Sequence, residues 1–293
     1  MNVWVAAIIV MIVASTAYSY YRQMSFSIVV SVVCVVSFAV LLLSAGSAYY
    51  GNSETMYQLE FIPHDLTDPG RLYTVLTSMY THGGIGHLLM NILVVAFIGM
   101  GFEQRIGTRP YILMYFVAGL CGTLAFAGLN WGNSFIAVVG ASGAIVGVLG
   151  AYVRMFPHER MSLLIGFLPL PPMPLWVVVA GILFLQIVFL SGQTNIAVEA
   201  HLGGLVAGYV LAPYVARLPL HKRVKKMVSQ SALRKLATTP ELKSIMRRIE
   251  EESIPDVRSA WIEHFLSQAK CPQCGTKLKV RKDGVMCERG HML

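Results

Sequence analysis

Seven stretches of the chain run almost unbroken in apolar residues, at roughly 3–19, 26–49, 87–102, 111–129, 138–155, 174–190 and 197–216. An α-helix rises about 1.5 Å per residue, so about 20 such residues cross a hydrocarbon layer of about 30 Å. The pattern predicts seven membrane-spanning helices. The third is short and borrows length from the Gly83–Gly86 turn before it. Between the second and third lies 50–86, where Glu54, Glu60, Asp65 and Asp68 alternate with apolar runs such as Leu72–Leu76. That mixture is too polar to span and predicts a structured surface loop, sunk in part into the interface. Beyond residue 216 the pattern shortens. Thr239-Pro240-Glu241 is a helix start for Leu242–Glu252, and Val257, Trp261 and Phe265, spaced by four, give a further helix one apolar stripe.

Composition agrees with a chain built for lipid. Of 293 residues 55% are hydrophobic and 13% charged, against about 25% charged in soluble domains; the mean hydropathy is +0.61. Charge is divided unevenly: residues 1–216 hold 6 Lys and Arg against 7 Asp and Glu, whereas 217–293 hold 17 against 8. The expected fold is an all-α polytopic helix bundle with a basic soluble tail. Arg22, Arg105, Arg109, Arg154 and Arg160 fall in alternate loops on the side of that tail, and the opposite loops contain only Arg71. Positive-inside bias then places the tail in the cytoplasm, with the 50–86 loop and the N-terminus outside, as in a multi-pass protein of the plasma membrane. Residues 1–19 lack the positive n-region of a signal peptide and are read as a span.

Polar residues inside apolar spans are costly and face the bundle interior. In the predicted topology the third, fifth and seventh spans all run from outside to inside. His87 opens the third, with Asn91 one turn later on the same face. Ser142, within Gly140-Ala141-Ser142-Gly143, is expected about four residues into the fifth; His201, within Ala200-His201-Leu202-Gly203-Gly204, about four into the seventh. All four thus arrive at one level from three helices. A serine hydroxyl becomes a nucleophile when a base takes its proton, and histidine titrates near neutrality. Ser142 is the candidate nucleophile and His201 the candidate base. His87, Asn91 and the Ser142 N–H are candidate donors to an oxyanion. Glu199 lies on another face from His201, so a dyad is expected. Gly143 and Gly147 on the fifth span, and Gly204, Gly208 and Ala212 on the seventh, form small-residue stripes that permit the close approach a Ser–His contact needs. Ser142 as a packing serine and His201 as a proton relay are the bland alternatives; a relay lacks the acidic partners it would use.

This ordered set resembles the rhomboid family of intramembrane serine proteases, over roughly 26–216. The matching residues are His82 and His87-Leu-Leu-Met-Asn91, then Gly101-Phe-Glu103-Gln-Arg105-Ile-Gly107, Gly140-Ala141-Ser142-Gly143, and Ala200-His201-Leu-Gly-Gly204-Leu-Val-Ala-Gly208. The resemblance implies a six-helix core that cleaves transmembrane substrates near the outer membrane face without a cofactor, with Ser142 and His201 as dyad and an oxyanion role for His87 and Asn91. Two positions depart from the family. Val146 stands where many members carry an aromatic residue, and Tyr73-Thr74 occupy the place of a Trp-Arg pair, Arg71 lying three residues earlier. The expected organisation is an extra span at 1–25, a core at 26–216, a basic helical linker at 217–270 and a final segment at 271–293. An inactive rhomboid-like protein that binds or escorts transmembrane clients is the alternative, and a channel or transporter a distant third. His82 reads as structural at the loop–helix junction, and Glu103 and Arg105 as an inner-side anchor. His64, His158, His221 and His264 carry no pattern, and Cys34 and Cys121 read as small core residues.

The last 23 residues carry a second signal. Cys271-Pro-Gln-Cys274-Gly275 is followed after twelve residues by Cys287-Glu-Arg-Gly-His291, with Lys277–Met286 between as a hairpin turning at Asp283-Gly284. Two short ligand pairs flanking a hairpin suit a tetrahedral Zn²⁺. The segment resembles a zinc ribbon with ligands Cys271, Cys274, Cys287 and His291. A redox CxxC or unpaired thiols are the alternatives, and a cytoplasmic location disfavours structural disulfides. His221–Lys226 would lie against anionic headgroups or simply be solvated. The partner of the tail is not legible.

Overall fold

A computed structural model describes residues 2–45, 53–133, 136–162, 164–165, 168–169, 171–190, 197–217, 230–252, 255–281 and 284–291. The chain forms two compact units, Met1–Leu218 and Pro219–Leu293. The expected juxtamembrane run 221–226 and Asp283 lie outside the described residues.

The first unit is a helical membrane bundle. Its helices are α1 (Val3–Arg22), α2 (Phe26–Ala45), α3 (Glu54–Leu59), α4 (Thr74–Thr77), α5 (Ile85–Val94), α6 (Met100–Ile106), α7 (Thr108–Leu129), α8 (Ser142–Met155), α9 (Leu175–Leu190) and α10 (Val198–Arg217). A π-helical turn, Val95–Gly99, joins α5 to α6, so that Ile85–Ile106 runs on as one span longer than the predicted 87–102. Among the described residues four helices are long and apolar enough to cross a membrane: α1, α2, the α5–α6 run and α7. Between α8 and α9, β1 (Arg160–Met161) pairs with β4 (Met173–Pro174), and β2 (Leu164–Ile165) with β3 (Leu168–Pro169), as two short antiparallel ribbons.

The fifth span differs from expectation. Its helix begins at Ser142, not at 138, and at 14 residues is about 21 Å long, short of the hydrocarbon thickness. Two long-range pairings take the backbone that would have continued the helix. Val138 exchanges both hydrogen bonds with Phe61, at 2.8 and 3.2 Å, and the Gly140 N–H donates to the Ser78 carbonyl at 2.8 Å. Gly140, at φ +120°, then turns the chain into α8.

Buried polar groups fix the ends of the bundle. The Glu103 carboxylate, 3% exposed, accepts from the N–H groups of Phe26 (2.6 Å) and Ser27 (2.8 Å) and from Ser25 Oγ (2.8 Å). It thereby satisfies donors that the first turn of α2 leaves unpaired, and its charge suits that helix end. Arg105 donates to Tyr152 Oη at 2.9 Å and to Glu159 Oε1 at 2.7 Å. Arg109 lies 4.7 Å from the centre of the Tyr20 ring and donates to the Tyr20 carbonyl. The C-terminal ends of α1, α6 and α8 and the start of α7 therefore share one face. At the other end of α1, Asn2 donates from its backbone to Gln58 Oε1 and from its side chain to Thr55 Oγ1, which ties the first helix to α3.

The second unit carries α11 (Gln230–Leu236), α12 (Pro240–Glu251) and α13 (Pro255–Gln268), then β5 (Leu278–Arg281) paired antiparallel with β6 (Gly284–Cys287). Thr239 caps α12 through its hydroxyl, with Pro240 in the first turn. Leu242, Met246, Ile249, Phe265 and Leu266 share one core with Cys271, Leu278, Val285 and Cys287. The helices and the hairpin are thus packed on each other.

Candidate active site

Helix α10 is wedged between α7 and α8, and glycines make the wedge possible. A methyl group on Gly204 would overlap the Gly143 carbonyl oxygen, and one on Gly208 the Gly147 carbonyl oxygen. On the other side, a methyl on Gly122 would lie 2.6 Å from the Ala200 carbonyl oxygen, and one on Gly203 3.0 Å from that of Cys121. The expected stripes on α8 and α10 meet as small-residue packing requires. The matching glycine on α7, Gly122, was not singled out from the sequence. Its signal is a small residue opposite Ala200, which only the fold makes visible.

This packing brings His201 Nε2 to 2.6 Å from Ser142 Oγ. Ser142 is the first residue of α8, so its N–H points out of the helix end where donors are unpaired and the dipole favours negative charge. His201 is the fourth residue of α10 and is 9% exposed. No carboxylate partner of its ring is found among the described residues.

The α5 pair lies beside them. Asn91 is buried and gives one N–H to the His87 carbonyl at 3.1 Å. His87 packs on Gly140: a methyl there would stand 2.6 Å from both its Cε1 and Nε2, and 3.5 Å from Ser142 Oγ. Gly140 is required twice, for its positive φ and for this approach. Together these groups line a cavity of about 110 Å³, with Ser78, Met79, Met90 and Thr123 also in its wall. It holds a hydroxyl, two imidazoles, an amide and a helix N-terminus around a space the size of a few atoms, in otherwise apolar surroundings.

His82, read from sequence as a junction residue, is fully buried, and its ring lies 5.1 Å from that of His87. Neither of its ring nitrogens has a hydrogen-bond partner among the described residues. Burial pushes its pKa down to about 3, and His87 adds to the same effect. It does not line the cavity.

The second constellation lies wholly in the C-terminal unit. One ligand atom each from Cys271, Cys274, Cys287 and His291 falls within 4.8 Å of the others. The separations are 3.6 Å for the Cys274 and Cys287 sulfurs, 3.8 Å from Cys271 Sγ to His291 Nδ1, and 3.5 Å from Cys287 Sγ to the same nitrogen. Bonds of about 2.3 Å to sulfur and about 2.0 Å to nitrogen at tetrahedral angles put ligand atoms about 3.5–3.8 Å apart; these three separations match, and three thiols with an imidazole are donors of the kind Zn²⁺ takes. Gly275, at φ +69°, makes the turn in which its N–H bonds the Cys271 carbonyl. The His291 N–H donates to Cys287 Sγ at 3.3 Å. Hydrogen bonding to Thr276 lowers the Cys274 thiol to about 7, nearer the thiolate that binds metal.

Comparison with known proteins follows the same division. The Rhomboid domain family model matches residues 69–218. The chain is 29% identical over 180 residues to Rhomboid protease GluP of Bacillus subtilis, covering 61% of this chain and 32% of that protein. It is 28% identical over 172 residues to RHOMBOID-like protein 12, mitochondrial, of Arabidopsis thaliana, covering 52% and 49%. Inactive RHOMBOID-like protein 8 of the same plant is 30% identical over 122 residues, covering 36% and 34%. The chain spans about a third to a half of the length of these relatives.

Proposed function

The chain belongs to the rhomboid family, and on that premise we propose that it is an intramembrane serine endopeptidase that cleaves transmembrane substrates with a Ser142–His201 dyad. The observation that carries the reading is the 2.6 Å contact between Ser142 Oγ and His201 Nε2. His201 takes the hydroxyl proton as Oγ attacks the scissile carbonyl carbon. The carbonyl oxygen becomes an oxyanion held by the Ser142 N–H, by the second Asn91 N–H and by His87. His201 then gives its proton to the departing amine as the C–N bond breaks. A water, activated by the same imidazole, hydrolyses the acyl-enzyme. No cofactor takes part.

Orientation follows from the arginines. The inner-end contacts of Arg105 and Arg109 gather the loops that positive-inside bias assigns to the cytoplasm. The Asn2–Thr55 bond holds the N-terminus beside the 53–84 loop, which supports putting both on the outer side in this reading. The dyad then lies near the outer face of the plasma membrane, and the tail is cytoplasmic. In that tail Cys271, Cys274, Cys287 and His291 would hold a structural Zn²⁺. With four protein ligands it would supply folding free energy and no chemistry.

The test is incubation of the purified protein with a model transmembrane substrate, wild type beside Ser142→Ala and His201→Ala. Cleavage by the wild type and none by either variant is expected. Equal cleavage by wild type and Ser142→Ala sinks the protease reading. The alternative, a client-binding protein without activity, is suggested by an inactive relative; it predicts no cleavage by wild type and no selective Ser142 labelling by a fluorophosphonate.

A further inference from the structure

The loop that precedes α5 is braced by a part-buried ion pair, and its wiring leads to Ser142. Asp65 is 3% exposed. Its Oδ1 accepts from Arg71 Nε at 2.9 Å, and its Oδ2 from Arg71 Nη2 at 3.2 Å, from Thr74 Oγ1 at 2.8 Å and from the Ile62 N–H at 3.2 Å. Arg71 Nη2 donates onward to the carbonyls of Tyr57, at 3.0 Å, and Glu60, at 3.4 Å, and its guanidinium covers the Tyr57 ring. Burial works against the Arg71 charge, but Asp65 outweighs it and the net shift is upward.

The residue between those two tied positions is Phe61. The pair grips the Glu60 carbonyl on one side of it, through Arg71, and the Ile62 N–H on the other, through Asp65. Phe61 is itself paired with Val138 in an isolated antiparallel bridge. Thr77 adds a bond to the Leu59 carbonyl at 2.9 Å, and Ser78, next along, receives the Gly140 N–H. Segment 138–140 is therefore pinned at two points, both on the loop that Asp65 and Arg71 brace. That segment decides where α8 starts and where Gly140 meets the His87 ring.

We infer that Asp65 and Arg71 are positioning residues for the nucleophile: through Phe61 and Val138 they set the place of the Ser142 hydroxyl and N–H. The inference rests on the reading of Ser142 as nucleophile. Neither residue touches the cavity, so each acts through the Phe61–Val138 bridge. Removing Arg71 leaves the buried Asp65 charge uncompensated, and the Phe61–Val138 bridge then loses the register that aims Ser142. A shift of about 1 Å at reacting groups costs about a hundredfold in rate.

The experiment uses the full chain in liposomes with a transmembrane substrate, reading kcat, KM, melting temperature and the rate at which a small fluorophosphonate labels Ser142. Arg71→Gln and Asp65→Asn should lower kcat about tenfold or more with KM within twofold, and labelling should fall in step. Thr74→Val, which removes the hydroxyl shared by Asp65 Oδ2 and the Arg71 carbonyl, both at 2.8 Å, should give a smaller loss, and Thr74→Ser should restore wild-type kcat. Asp68→Asn, whose exposed side chain accepts from the Gly70 N–H and takes no part in the Asp65–Arg71 pair, should leave kcat unchanged, because its backbone bonds to both residues are kept. A lowered melting temperature with kcat and labelling per folded molecule unchanged would reduce the pair to a brace and overturn the inference. Should either charge variant fail to fold, Thr74→Val decides, and unchanged kcat and labelling there overturn it as well. Failure of the dyad reading is separate: Ser142→Ala would then still cleave or take label.

Discussion

Replacing Gly122 by Ala tests whether the seating of α10 sets the Ser142–His201 contact. A methyl at this position would stand 2.6 Å from the Ala200 carbonyl oxygen, where ordinary contact begins at 3.4 Å. Helices α7 and α10 must then part locally by about 0.8 Å. Movement of α10 away from α7 is opposed by α8, because a methyl on Gly143 would already sit 3.3 Å from the same oxygen. The strain of such overpacking is about 1–3 kcal/mol. His201 is the next residue after Ala200, so the displacement reaches its ring nearly undiminished. With about a hundredfold per ångström, 0.8 Å predicts a loss of about 10- to 100-fold in kcat. The assay compares cleavage of a transmembrane substrate, Ser142 labelling by a fluorophosphonate and thermal unfolding in wild type, Gly122→Ala and Gly128→Ala. Gly128 lies six residues further along α7, and a methyl there meets nothing within 4 Å, so its variant should match wild type. Gly122→Ala with wild-type turnover and unchanged unfolding would refute the argument that this glycine fixes the dyad.

Further outcomes follow from the same geometry. Asn91→Ala should lower turnover about 10²- to 10³-fold, as loss of one oxyanion donor does, and the double variant with His87→Ala should be less than additive; unchanged turnover would leave Asn91 as a packing residue. Glu103→Ala should leave the N–H groups of Phe26 and Ser27 buried without partners, at a cost of about 1–3 kcal/mol each, read as a fall in unfolding temperature; a wild-type value would show that the capping bonds are dispensable. Elemental analysis should find about one zinc per chain, lost in Cys274→Ser. Because Cys271 and Cys287 share a core with Leu242, Met246 and Phe265, metal removal should also loosen α12 and α13, seen as faster amide exchange there, while cleavage by the membrane unit persists. Protein purified without chelator and containing no zinc would contradict the assignment.

The features legible in the sequence are those whose signal is local. A membrane span is visible because every residue of about a five-turn stretch must be apolar, whatever it packs against, and six of the seven expected segments coincide with helices to within a few residues at the ends described. Ser142, His201, His87 and Asn91 were visible for the converse reason: polar groups in such stretches are expensive and so few that they point to one another. The cysteine and histidine spacing of the tail is also local, since a tetrahedral ion dictates short ligand pairs. The tertiary structure decided what depends on partners far along the chain. Ser142 opens its helix instead of lying one turn inside it, because the bonds that stop the helix go to Phe61 and Ser78, more than sixty residues earlier. Glu103 reaches α2 across a similar separation, and Arg105 finds Tyr152 and Glu159 about fifty residues away. Asp65 and Arg71 looked like ordinary loop charges until the fold buried Asp65 and set Arg71 against it. Gly122 was one small residue among many in an apolar helix, and only the backbone of Ala200 lying against it gives that residue meaning. Apolar periodicity says which segments leave water; which backbone atoms then meet is set by packing between segments, to which a one-dimensional pattern carries no distance.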